Sequence, residues 1–224
     1  MKRNWLLITL LCLITCAFVS CNRKVPEKKQ IIIAVIPKLD NAIFDQVKVS
    51  ATEAAKELGI ILTWEAPTSN DWKKQKELIE NLIIYKVDGI LISCNDAVML
   101  KEPINEAIKA GIKVGTFDSD CPGSERAFYI GTDNEKAGKV CAETMKGLFE
   151  KAKKTPDKIV VLSGGASAQN MLDRLSGFRE VFSNDKIANI LYSYEMPDVG
   201  RDLLTYELKR NPKINGVQMI WGVP

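Results

Sequence analysis

Short apolar runs alternate along this chain with longer segments whose apolar positions recur at helical spacing. Residues 31–36 form a β-branched run of the kind that is buried on both faces of a sheet. Residues 42–58 place Phe44, Val47, Ala51, Ala54, Ala55 and Leu58 at helical spacing, and Gly59 supplies the stop. A strand over 60–64 follows. Asp71 can cap a helix that runs to Tyr85 with Leu78, Ile79, Leu82 and Ile83 facing inward. Asp88-Gly89 turns into a strand over 90–93, and residues 97–110 read as a helix ended by Gly111. Residues 113–117 and 127–130 make a fourth and a fifth strand. The rhythm then repeats: helix 135–153, strand 158–162, helix 168–182, strand 187–192, helix 199–209 and strand 216–221.

Regular alternation with short connections predicts an α/β fold of parallel sheets flanked by helices. Right-handed crossovers put the ligand crevice beyond the carboxyl ends of the strands. Strands on either side of Gly131-Thr132-Asp133 predict two Rossmann-like lobes, residues 31–132 and 133–224, with a hinge near that tripeptide. The second lobe has few strands, and the chain stops directly after one of them. The expectation is an incomplete second lobe within a fragment of something longer.

The N-terminal segment has a different pattern. Lys2 and Arg3 precede an apolar run over 5–19, and Phe18-Val19-Ser20-Cys21 closes it. The run is shorter than the roughly 20 residues of a spanning helix, so residues 1–21 read as a signal peptide. The ending resembles a bacterial lipobox, which implies that Cys21 is lipidated and becomes the new N-terminus, with residues 22–30 as a polar tether. An ordinary secretory signal and an uncleaved anchor are the alternatives. Each reading puts the working part of the chain outside the cytoplasm.

Removing residues 1–20, which carry Lys2 and Arg3 and no acid, leaves 29 basic against 28 acidic residues, from 31 and 28 in the whole chain. A nearly neutral chain lacks the basic surplus that nucleic-acid binding needs. The chain has no histidine, which removes Ser-His-Asp and Cys-His catalysis and most catalytic zinc sites. Cys12 and Cys16 lie in the signal. Cys94, Cys121 and Cys141 show no CxxC spacing and indicate no metal cluster; they read as small buried residues. Cys94 and Cys121 both follow strand ends on one edge of a sheet, which leaves a bridge between them or two free thiols as alternatives.

The order IIIAVIPKLDNAIF, DGILIS, IKVGTFDSD, YIGTDNEKAG and KIVVLSGGASAQNMLDRLSGF, behind a signal and a cysteine, resembles the type I periplasmic binding proteins of the ribose-binding kind. The resemblance implies two lobes that close by a hinge over one monosaccharide or polyol, with no cofactor and no catalysis. It also implies docking on the permease of an ABC transporter, and a protein that works as a monomer. Sugar hydroxyls call for bidentate Asp, Asn and Arg, and the sugar's C–H faces call for aromatic rings.

On that resemblance Asn41 is a hydroxyl ligand and Phe44 packs on the ring, while Ile43 replaces a second aromatic. Phe44 as a core residue of its helix is the alternative. Asp118, at the end of the fourth strand, matches the ligand aspartate, against helix capping or loop solvation. Ser119 stands where some relatives carry arginine. Ser93 and Asn95 follow the third strand, as ligand or turn residues. Asp133 and Asn134 flank the hinge and read as caps of the next helix. Asn170 is the expected direct contact in the second lobe, with Arg174 at the surface or in an ion pair behind it. Trp221 stacks on the sugar or packs in a core.

Other classes fare less well. Leu162-Ser163-Gly164-Gly165 is similar to the signature of ABC ATPases, but the chain has no GxxxxGK[ST] loop. The paired glycines fit a tight turn or a phosphate cradle. Asp118 and Asp120 could hold a cation, but few catalytic candidates exist for an enzyme on this fold. A repressor would need a DNA-binding segment where the signal peptide stands. A receptor that feeds a membrane kinase remains the second functional reading.

Overall fold

The computed structural model describes residues 29–220. The expected signal peptide, Cys21, most of the tether and Trp221 lie outside the described residues. Among those described, strands and helices alternate as the pattern predicts. The first sheet is built from β1 (Ile32–Ile36), β2 (Ile61–Trp64), β3 (Gly89–Ile92), β4 (Lys113–Phe117) and β5 (Tyr129–Ile130). The intervening helices are α1 (Asp45–Leu58), α2 (Trp72–Tyr85) and α3 (Lys101–Lys109). The second sheet comprises β6 (Lys158–Ser163), β7 (Ile187–Tyr192) and β8 (Ile214–Met219), with helices α4 (Asn134–Lys151), α5 (Gln169–Arg179) and α6 (Pro197–Arg210).

All pairings are parallel, in the orders β2-β1-β3-β4-β5 and β7-β6-β8. In the first sheet the chain winds outward on both sides of β1, so the β1/β3 boundary is a topological switch point and its carboxyl edge a natural crevice. Alternation along the strands sends Ala34, Ile36, Ile90, Ile92 and Val114 to one face, against Ile79 and Leu82 of α2, Ile104 and Ala107 of α3, and Leu100 in the turn before it. On the opposite face α1 covers part of the sheet, and an apolar groove of about 320 Å³ stays open beside Leu58, Leu91 and Phe128.

The second sheet buries Val160 and Leu162 with Leu191 on one face. On the other, Ile159 meets Ala142, Phe178 and Phe182, and Val161 meets Met171 and Leu175. Helices α4 and α5 cross here at backbone contact. A Cβ on Gly138 would overlap the carbonyl of Arg174, and one on Gly177 the carbonyl of Glu135.

Four expectations are corrected. The helix expected from residue 97 begins at Lys101, because Asp96 Oδ1 accepts the amides of Val98 and Met99, each at 2.9 Å, and holds 97–100 as a turn. The last strand runs from Ile214 to Met219 because β6 pairs with it from Lys158↔Ile214 onward. The helix expected to reach residue 182 ends at Arg179, where Phe178 and Phe182 turn together into the core with ring centroids 5.2 Å apart. Cys94 and Cys121 are buried free thiols, but Cys141 is exposed on α4.

Candidate functional site

A cleft of about 240 Å³ opens where the loops after β1, β4, β6 and β7 converge. It is lined by Lys38, Asn41, Phe44, Asp118, Asn170 and Arg174, with Leu39, Ile43 and Glu195 completing the wall. The loops leave the carboxyl ends of parallel strands, so the site follows from the topology.

Asn41 starts a 3₁₀ turn, Ala42–Phe44, and its Oδ1 accepts the Ile43 amide at 2.9 Å. That bond occupies the acceptor and leaves the NH₂ as its donor. The turn drives Phe44 inward, where it meets Phe117 edge to face at 6.2 Å. Phe44 is therefore both buried and part of the cleft wall.

Asp118 sits at φ 56°, in the left-handed region that a residue with a Cβ enters at a cost. Its surroundings hold it there. Its N–H donates to the Ile130 carbonyl at 3.0 Å, and its carbonyl accepts the Tyr129 hydroxyl at 3.0 Å. Oδ2 accepts from Ser93 Oγ at 2.7 Å and lies 3.7 Å from Lys38 Nζ. The side chain keeps 40% exposure, toward an open cleft.

Lys38 is buried, and its Nζ donates to Asn170 Oδ1 across 3.0 Å. Burial pulls its pKa below the ordinary lysine value, while Asp118 and Glu195 act the other way. Glu195, like Asp118, adopts a left-handed backbone, at φ 62°. Arg174 makes two hydrogen bonds to described residues: Nε donates to Asn134 Oδ1 at 2.8 Å and an NH group to the Ile220 carbonyl at 2.7 Å. Asn134 donates in turn to the Tyr129 hydroxyl at 3.2 Å, so hydrogen bonds run from the backbone of Asp118 to Arg174. Burial and the Asp118 charge both push the Tyr129 phenol above its usual value, keeping it a donor. Asp133 caps α4 as expected, accepting the Lys136 amide at 3.1 Å.

Ser93, Asn95 and Ser119 are buried and do not line the cleft. Ser93 orients Asp118. Asn95 donates from Nδ2 to the Lys38 carbonyl at 2.9 Å and from its N–H to Gln75 Oε1 at 2.8 Å. Gln75 donates to the carbonyls of Pro37 and Ser93, tying the loops after β1 and β3 together. Asn95 Oδ1 and Ser119 Oγ are buried without a hydrogen-bond partner among the described residues.

The description "Periplasmic binding protein domain" belongs to the family model that matches residues 32–224, beyond half of the chain. The chain belongs to the periplasmic binding protein family. The ribose import binding protein of Bacillus subtilis is 27% identical over 157 residues, covering 69% of this chain and 50% of that protein. The D-allose-binding periplasmic protein of Escherichia coli is 24% identical over 195 residues, covering 82% and 61%. Among solved structures, an ABC transporter solute-binding protein of Burkholderia graminis in complex with D-arabinose is 31% identical, with a TM-score of 0.79. That match covers 88% of this chain and 68% of the other. The chain thus spans about half the length of the ribose protein.

In this periplasmic binding protein, five of the residues expected from sequence, Asn41, Phe44, Asp118, Asn170 and Arg174, share one cleft. Lys38 and Glu195 escaped the sequence reading. Lys38 had a signal, as a lone lysine directly after a buried apolar strand. Glu195 had none, because its place depends on a left-handed turn after β7. Gln75 reads from the sequence as an ordinary polar helix residue, and only the fold buries it.

Proposed function

We propose that this chain is the ligand-binding portion of an extracytoplasmic solute-binding protein that delivers a monosaccharide or polyol to an ABC-type permease. The observation that carries the reading is Asp118. Its carboxylate is held by Ser93 at an unfavourable backbone angle and open to a cleft that also presents Asn41, Asn170, Arg174 and Phe44. This is the composition that vicinal hydroxyls and a C–H face require, and a cleft of about 240 Å³ suits a ligand smaller than drug size, whose sites run to roughly 300–1,000 Å³. The relatives that match are named for ribose, xylose and allose. A ligand touching both lobes stabilises the closed form by its differential affinity for that form, and closure is the signal the permease reads. A lipid on Cys21 would keep the protein at the membrane where that permease sits.

The test is a thermal-shift and calorimetric screen of the full chain against pentoses, hexoses and polyols. One sugar is expected to raise the melting temperature by mass action. Asp118→Ala is expected to weaken that sugar by about 2–3 kcal/mol, or roughly 30- to 150-fold in Kd. A cooperatively folded protein that no sugar stabilises would sink the reading, and unchanged affinity in Asp118→Ala would remove Asp118 from the site.

A further inference from the structure

We infer that Cys94 and Cys121 are a disulfide-forming pair whose bridge locks together the two loops that hold Asp118. The loops follow β3 and β4, neighbours in the sheet, and run side by side: the Cys94 N–H donates to the Ser119 carbonyl at 3.0 Å. Both side chains are fully buried in one cluster with Ala97 and Leu100. The Cys121 thiol donates to the Ala97 carbonyl at 3.0 Å, on the turn that follows Cys94. A disulfide needs adjacent backbones and sulfurs that can approach each other. Hydrogen-bonded neighbouring loops supply the first, and a shared buried cluster brings the side chains together for the second.

The chemistry also has a direction. The neighbouring Cys94 thiol holds the Cys121 thiol below its ordinary value, while Cys121 and burial push Cys94 well up. Cys121 is therefore the thiolate that starts the exchange. As the chain folds, before the loops close over it, Cys121 attacks one sulfur of an external disulfide, forming a mixed disulfide and releasing one thiol. Cys94 loses its proton, attacks the Cys121 sulfur and expels the second thiol. Two protein thiols and one external disulfide become one internal disulfide and two small thiols. Relatives of this chain are named as periplasmic, and outside the cytoplasm such pairs persist in the oxidised form. The bridge would join the residue after Ser93 to the loop that begins at Asp118, the two ends of the Ser93–Asp118 hydrogen bond. It fixes the geometry of the carboxylate and needs no particular ligand, so it stands apart from the sugar reading.

The experiment uses the full chain, refolded from denaturant in the presence of oxidised glutathione, quenched in acid, unfolded and alkylated, and digested with trypsin. Cleavage after Lys86, Lys101, Lys113 and Arg126 puts Cys94 in peptide 87–101 and Cys121 in peptide 114–126. A linked pair of these peptides, two hydrogens lighter than the sum and lost on reduction, is expected. Reduction is expected to lower the melting temperature by roughly 5–10 °C. Cys94→Ser and Cys121→Ser each abolish both effects, and Cys141→Ser abolishes neither. Recovery of both peptides separately alkylated, from oxidised protein that is folded by circular dichroism, overturns the proposal. So does linkage of either cysteine to Cys141. If a serine variant fails to fold, the wild-type comparison with and without reductant still decides.

Discussion

At the scale of single residues, the loop after β4 holds two carboxylates with different work to do. Asp118 is open to the cleft. Asp120 is half-buried, accepting from the Cys121 amide at 2.7 Å, from Thr116 and from the guanidinium of Arg126. Burial pushes the Asp120 carboxyl up, but the bonds from Arg126, Thr116 and Cys121 outweigh it and hold the pKa below the ordinary aspartate value. A depressed folded-state value means that Asp120 adds stability above the unfolded value, and that this is lost as pH falls through the folded one. Arg126→Met is therefore expected to cost about 2–3 kcal/mol at pH 7, with the deficit shrinking below about pH 4. Urea unfolding of both proteins at pH 7 and pH 3 checks it; a deficit independent of pH would show that Arg126 acts by packing alone.

At the scale of elements, the contact of α4 with α5 decides where Arg174 stands. Gly138 and Gly177 let the helix backbones touch, and Arg174 leaves α5 beside that crossing to meet Asn134 at the start of α4. Adding a methyl at either glycine must push the helices apart. Gly138→Ala and Gly177→Ala are each expected to cost about 3 kcal/mol, the upper end for overpacking, because backbone cannot rotate away as a side chain can. Gly147, also in α4, has nothing within 4 Å of the place a Cβ would take. Gly147→Ala is expected to stabilise by about 0.5–1 kcal/mol, since only helix propensity changes there. Equal effects at positions 138 and 147, by thermal or urea unfolding, would refute the close-packing account. These two roles of glycine look alike in the sequence, where all three read as weak points in a helix.

At the scale of the whole molecule, hydrogen bonds cross from the first sheet's loops to those of the second, among them Lys38 Nζ to Asn170 Oδ1 at 3.0 Å and Ser167 Oγ to the Asn95 carbonyl at 3.3 Å. Such bonds bias the resting separation of the lobes before any ligand arrives, and a sugar would have to add differential affinity on top of them. Ser167→Ala combined with Asn170→Ala is expected to raise the sugar-free radius of gyration in small-angle scattering. Superimposable curves would show that these bonds do not set the resting state.

The alternation of buried apolar runs with amphipathic segments was enough by itself to determine the α/β class, the order of elements and the placing of a site at the strands' carboxyl ends. Local chemistry was legible in the same way: Asp71 caps its helix as its residue type predicts, by a short-range bond from the Lys73 amide two residues on. Contacts between residues far apart in the chain were decided only by the tertiary structure. It buried Lys38 against Asn170, turned Glu195 into the cleft, and set Gln75 beneath two loops. It also moved Ser93 and Asn95 from the wall of the site to its support. The physical reason is that periodicity reports which face of an element avoids water, whereas a buried polar group's role depends on which distant partner satisfies it, and that pairing exists only once the sheets have formed.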